Sequence, residues 1–128
     1  MAELIMNQSG KLGHGSGSAI SGGVFSIVSA PSVKNKIENK GIFRGPLKFT
    51  FSGGNAAGFQ PGTVATISPV DIPPTAVKTK ADGFPVIRLG DSVVMACQGT
   101  SSTPPNPTAG ISGPAEVSDA GQSKVRGD

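Results

Sequence analysis

The sequence predicts an all-β, loop-rich module, and three observations carry that prediction. Gly (19) and Pro (11) together supply 30 of the 128 residues, and both are costly inside a helix. Hydrophobic residues reach 36% while charged residues stay at 15%, which is not the balance of a charged disordered tail. The apolar residues also recur with a period of two, in short segments bounded by turn residues, as half-buried strands require. A chain of 128 residues fits one domain, here with a thin core.

Taken in order, residues 1–23 end in the Gly-rich run from Gly10 to Gly23. Such a run holds no helix at low cost and predicts an N-terminal arm or a string of tight turns. A β domain is expected over 24–98. It opens with a strand at 24–29, rich in β-branched residues. Residues 33–38 alternate apolar or neutral with charged side chains, a strand with one wet face. Asn39-Lys40-Gly41 supplies a turn, Ile42-Phe43-Arg44 returns, and Gly45-Pro46 breaks the strand. Leu47, Phe49 and Phe51 then share one face of the next strand. Residues 52–58 form a loop, and 62–68 a strand stopped by Pro69.

Pro73-Pro74 marks a corner, and residues 75–80 read as a strand. Asp82-Gly83 is the strongest hairpin signal, because a type I′ turn needs two residues tolerant of positive φ. Residues 84–89 return, with Pro85 arguing for an edge or a bulge. Gly90-Asp91 turns again into a strand at 92–97. Beyond Gly99 the pattern dissolves. Thr103-Pro104-Pro105-Asn106-Pro107 favours extended polyproline-like backbone, and 99–128 is expected to be a tail that docks on its own domain or on a partner. One internal echo stands out. Pro31-Ser32-Val33-Lys34-Asn35-Lys36 resembles Pro74-Thr75-Ala76-Val77-Lys78-Thr79-Lys80. A Gly-containing turn, an apolar pair, Arg44 or Arg88, and Gly45 or Gly90 follow each, as in a repeated hairpin.

Several function classes drop out. The net charge is +3 with a pI near 9.3, and no dense basic run exists. Without Trp or Tyr there is little aromatic platform for bases or sugars, so no nucleic-acid partner is expected. No apolar run approaches the roughly 18 residues of a membrane span, and the first residues lack the basic region of a secretory signal. The single cysteine, Cys97, allows no internal disulfide. It reads as a small buried apolar residue, and His14, between two glycines, as a loop histidine. The glycines lack the Lys-Ser/Thr ending of a phosphate loop, and the acids are scattered rather than paired. The chain is therefore expected not to be an enzyme.

The segment Lys80-Ala81-Asp82-Gly83-Phe84-Pro85-Val86-Ile87-Arg88-Leu89-Gly90-Asp91 resembles the signature of the proline-alanine-alanine-arginine (PAAR) repeat family. Asp82 and Gly83 occupy the turn of that signature, and Pro85, Arg88, Gly90 and Asp91 its later positions. Val86 and Ile87 replace the two alanines, which makes the segment PAAR-like. Cys97 and, more weakly, His14-Gly15 also have counterparts in the family. The match spans about 20 residues, 77–97.

The resemblance implies a small cone of short β-hairpins in a pseudo-threefold arrangement. It also implies a structural spike-tip protein. Such a protein caps the trimeric β-helical spike of a contractile injection machine, a phage tail, a type VI secretion system or an extracellular injection particle. One tip would sit on each trimer and sharpen it for membrane piercing. Effectors, other baseplate proteins and, transiently, the target membrane would be further partners. The chain would be made in the bacterial cytoplasm and assembled into the particle. Family members often hold a zinc ion with His and Cys. Here only His14 and Cys97 are available for a zinc or iron ion, short of the four ligands of a closed site. Arg88 and Asp91 are expected to lock the hairpin as an ion pair or turn cap, in preference to the other role the resemblance allows, contact with the spike. Two other classes fit the composition: another structural phage protein, such as a capsid decoration or a tail or baseplate adaptor, and a small β ligand-binding module.

Overall fold

A computed structural model describes residues 3–127. Among these residues there is no helix, and the strands pair antiparallel in several small sheets. Strands β1 (Glu3–Leu4), β2 (Lys11–His14), β3 (Ile20–Ile27), β4 (Lys36–Ile37) and β5 (Lys40–Gly41) lead to the long β6 (Leu47–Ala56). Next come β7 (Ala65–Thr66), β8 (Val70–Ile72), β9 (Lys80–Ala81) and β10 (Phe84–Pro85). Strands β11 (Ser92–Thr100), β12 (Thr108–Asp119) and β13 (Arg126–Gly127) follow. Two larger sheets have the orders β2-β12-β11-β7 and β3-β6-β8, and three strand pairs, β4-β5, β9-β10 and β1-β13, stand apart from them.

The main core lies between the two larger sheets. The alternation read at Leu47, Phe49 and Phe51 places all three side chains inside, beside Ile72, Met95 and Val117. Phe51 needs bare backbone around its ring. A Cβ on Gly54 or Gly23 would stand 2.4 and 2.5 Å from ring carbons of Phe51, closer than any real contact. The two glycines therefore serve packing as well as turning. A smaller cluster of Ile5, Ile37, Ile42, Ala76, Ala81 and Val86 lies under the three strand pairs.

Three extended segments meet at the centre. Ile5 bridges Arg88, Asn7 bridges Ile42, and Arg44 bridges Val86. The middle residues close a ring. Met6 N–H donates to the Ile87 carbonyl (2.8 Å), Ile87 N–H to the Phe43 carbonyl (3.0 Å), and Phe43 N–H to the Met6 carbonyl (3.1 Å). Each residue gives one bond and takes one, so a pseudo-threefold axis runs through the ring. All three side chains are buried, which leaves these backbone groups no water to turn to.

The arm and the tail expected from the sequence are parts of the fold. Residues 1–23 contribute β1, β2 and the start of β3, and 99–127 contribute β13 and β12, the longest strand. Strand β12 pairs with β11 over nine residues and with β2 on its other side. Its pattern is faint because two of its three buried positions, Gly113 and Ala115, are small and only Val117 is large. At Gly113 a Cβ would already press on Ser18 Oγ (3.0 Å) and Ile20 Cδ1 (3.3 Å). Pro114 lacks a donor, but it sits just beyond the first pairing of β2, His14 with Ala115. Its carbonyl still accepts from Gly15 N–H (2.9 Å). The boundaries at 23 and 98 thus do not divide the structure.

Candidate functional site

The ring organises three lobes with matching backbones. One comprises residues 31–44 and the second 75–88. The third is assembled from both ends of the chain, 121–127 with 3–7. Equivalent hydrogen bonds fix the match. Ile42 N–H donates to the Asn35 carbonyl (3.0 Å), Val86 N–H to Thr79 (3.2 Å) and Ile5 N–H to Val125 (3.1 Å). The first two lobes turn through two-residue loops with positive φ, Glu38 and Asn39 (53°, 66°) and Asp82 and Gly83 (52°, 83°). These are the signs of type I′ hairpins. In the third lobe β1 and β13 take the place of the hairpin, with Leu4 opposite Arg126.

The echo seen in the sequence is therefore real in space, with a register correction. The hairpins place Lys36 opposite Gly41 and Lys80 opposite Pro85. That aligns Pro31 with Thr75 rather than with Pro74, and Gly45 with Leu89 rather than with Gly90. In two of the lobes the supporting side chains correspond as well, while the second has Ala76 at the equivalent position. Ser32 Oγ accepts from the N–H groups of Lys34 and Asn35 (3.3 and 3.0 Å). Gln122 Oε1 accepts from those of Lys124 and Val125 (2.7 and 2.8 Å).

Each ring segment also clasps the next lobe. Asn7 Nδ2 donates to the Ile37 carbonyl (3.2 Å). Arg44 Nε lies 3.0 Å from a carboxylate oxygen of Asp82. Arg88 Nη1 donates to the Gly127 carbonyl (3.1 Å). The order is cyclic, third lobe to first, first to second and second to third.

The motif residues hold this arrangement. Asp82 accepts from Asn35 Nδ2 (2.9 Å). The Ser32 hydroxyl above all, helped by Arg44 and Asn35, keeps its carboxyl below its ordinary value, against desolvation, the second-largest influence. Gly83 completes the turn. Pro85 occupies a non-hydrogen-bonded position of the hairpin, so its missing donor costs nothing there, and its carbonyl accepts from Gly45 N–H (2.8 Å). Val86 enters the smaller cluster and Ile87 the ring, which is why larger apolar residues suit these two positions. Asp91 is buried and accepts from the Arg88 backbone N–H (2.9 Å). Thr75 joins the two side chains, donating to Asp91 and accepting from Arg88 Nη2 (2.7 Å). Gly90 makes the intervening turn at φ 90°.

His14 and Cys97 do not come together. Cys97 pairs with Ile111 of β12, and His14 with Ala115 on the far side of that strand. Two strand spacings and four residues separate them, roughly 16 Å, so no single ion spans both. His14 Nε2 donates to the Gly22 carbonyl (2.7 Å), and its ring stands edge-on to Phe25 and Phe51, each 5.1 Å away. Burial pushes the Cys97 thiol up from its ordinary pKa, whereas a ligand must be thiolate. Among the described residues no three His, Cys, Asp or Glu side chains gather. This donor set does not fit a zinc or iron site.

Sequence reasoning missed the third lobe, including Met6, Asn7 and Gln122. One signal was present: a basic residue two positions after a lysine recurs as Lys34-x-Lys36, Lys78-x-Lys80 and Lys124-x-Arg126. Compared with protein-family models, curated proteins and solved structures, the chain matches none.

Proposed function

We propose that this chain is a structural cap that sits as a single copy on the end of a threefold-symmetric partner. The observation that supports the reading is the closed ring of Met6, Phe43 and Ile87, with its three matching lobes. One chain can satisfy three identical subunits only if it offers three similar surfaces. Paired with the PAAR-like segment at 80–91, this favours the tip of a trimeric β-helical spike in a contractile injection machine. The blunt end of such a spike exposes unpaired strand edges, which short hairpins can cover by strand addition. The motif residues serve this role by locking the lobes, with no chemistry required of them.

The test is stoichiometric. The chain is co-expressed with the trimeric spike of its own particle, and the complex is weighed by native mass spectrometry. One cap per three spike subunits is expected. No complex, or many copies on a particle surface as for a capsid decoration protein, sinks the reading.

A further inference from the structure

The three lobes carry a charge pattern that the ring brings together. The equivalent stretches are residues 31–36, 75–80 and 121–126. Together they hold six of the eleven Lys and Arg residues and none of the eight Asp and Glu. Lys34, Lys78 and Lys124 occupy one equivalent position. Lys36, Lys80 and Arg126 occupy another, two residues on. All six are exposed. The residues between them vary freely, as Asn35, Thr79 and Val125, so the repetition belongs to the charge. The nearest acids stand outside these stretches: Glu38, Asp82 and Asp128 each follow one two residues on, Glu3 lies on β1, and Asp82 is already paired with Arg44.

An apolar feature accompanies the charge. Val33 and Val77 hold equivalent positions beside Lys34 and Lys78. They are the most exposed large apolar side chains described, at 82% and 79%, and Ser123 stands at the third position. Apolar side chains set among like charges at symmetric positions suit a surface that becomes covered.

We propose that these lysines and Arg126 form two cationic rings that dock onto carboxylates of a homotrimeric protein, one equivalent acidic set per subunit. This deepens the capping reading and rests on it. Charge complementarity chooses the occupant: six cations without an interspersed acid call for acids opposite. The threefold placement favours a trimer over an anionic membrane, since a fluid lipid surface gains nothing from equivalent positions.

The experiment measures binding of the full chain to the same co-expressed spike trimer by biolayer interferometry, from 50 to 500 mM NaCl. Three proteins are compared: the wild type, the K34Q/K78Q/K124Q variant, and the K34E/K78E/K124E variant. Because the side chains are exposed, thermal melts of the variants are expected to match the wild type and exclude misfolding. Each neutralised lysine is expected to weaken binding about threefold, so the Gln variant weakens about thirtyfold. Its salt dependence flattens as well, and the Glu variant binds more weakly still. Single K34Q, K78Q and K124Q variants, measured in the same way, are expected to lose equally.

Wild-type binding that ignores salt, with both triple variants unaffected, overturns the cationic docking while leaving the cap intact. No spike binding at any salt overturns the capping reading, and the docking with it. Vesicles of phosphatidylethanolamine and phosphatidylglycerol (3:1) serve as the other probe. Lysine-dependent binding to them, with spike binding unchanged in the variants, assigns the rings to a membrane and also overturns the proposal.

Discussion

Asp82 shows how one side chain joins two lobes. It stands at the tip of the second hairpin, with a positive φ that only a few residue types accept readily. Its carboxylate meets Asn35 and Arg44 of the first lobe. The Ser32 hydroxyl first, and then these two partners, favour the charged form, so its pKa is lowered in the folded state. The sign follows from linkage. The stabilisation is present above the unfolded carboxylate pKa of about 4 and is lost as pH falls through the lower folded value. We therefore expect Asp82→Asn to remove part of the loss of stability between about pH 5 and pH 3. Chemical denaturation across that range checks it: an acid limb identical in wild type and variant would show that Asp82 contributes nothing. The residue is exposed, so the effect is small.

At the level of elements, the pairing of β3 with β6 depends on the Phe51 ring lying over Gly23 and Gly54. Gly54→Ala would place a methyl group 2.4 Å from that ring. The buried ring has no free volume to enter, so the expected loss is about 2 kcal/mol, the usual scale of overpacking. Phe51→Leu takes away the flat ring that the methyl group strikes. In that background Gly54→Ala should cost less, and a double-mutant cycle from urea midpoints measures the difference. Additive losses would mean that the strain lies elsewhere.

These elements also show what a sequence displays. Leu47, Phe49 and Phe51 were legible because large apolar residues alternate with Lys48 and Thr50. The Asp82-Gly83 hairpin was legible because turn and strands are neighbours in the chain. Strand β12 was not, since two of its three buried positions, Gly113 and Ala115, carry almost no hydrophobic signal and leave only Val117. The packing that demands a small residue at position 113 is set by Ser18 and Ile20, far away in sequence. At the candidate site, Arg88 and Asp91 were placed by their motif. Cys97 was read correctly as buried, whereas His14 stands on strand β2 against two touching Phe rings rather than in a solvated loop.

Across the whole molecule, closure is what local patterns conceal. The third lobe joins Leu4 to Arg126 and Ile5 to Val125, and no short window of sequence contains both halves. Read locally, such ends look like an arm and a tail, because each half lacks the partner that would make it a strand. The closed ring makes the two ends conditional on each other. Met6 needs Ile87 and Phe43, and Gln122 Nε2 reaches the Ile5 carbonyl (2.8 Å). Local opening of one end would expose the buried Met6 and leave Phe43 N–H without its acceptor. Both ends should thus open only with most of the fold. Limited proteolysis with trypsin tests this, since Lys11, Lys124 and Arg126 offer cleavage sites in the supposed arm and tail. Under native conditions cleavage after Lys11 should be as slow as cleavage after Lys48, which lies in the central strand β6. Rapid trimming at Lys11 and Lys124 to a stable fragment of residues 12–124 would show that the ring does not hold the ends. In Ile87→Ala, which removes a buried ring side chain, cleavage at Lys11 and Lys48 should accelerate together. The expected destabilisation of about 2–5 kcal/mol raises the open population at every site that requires global unfolding.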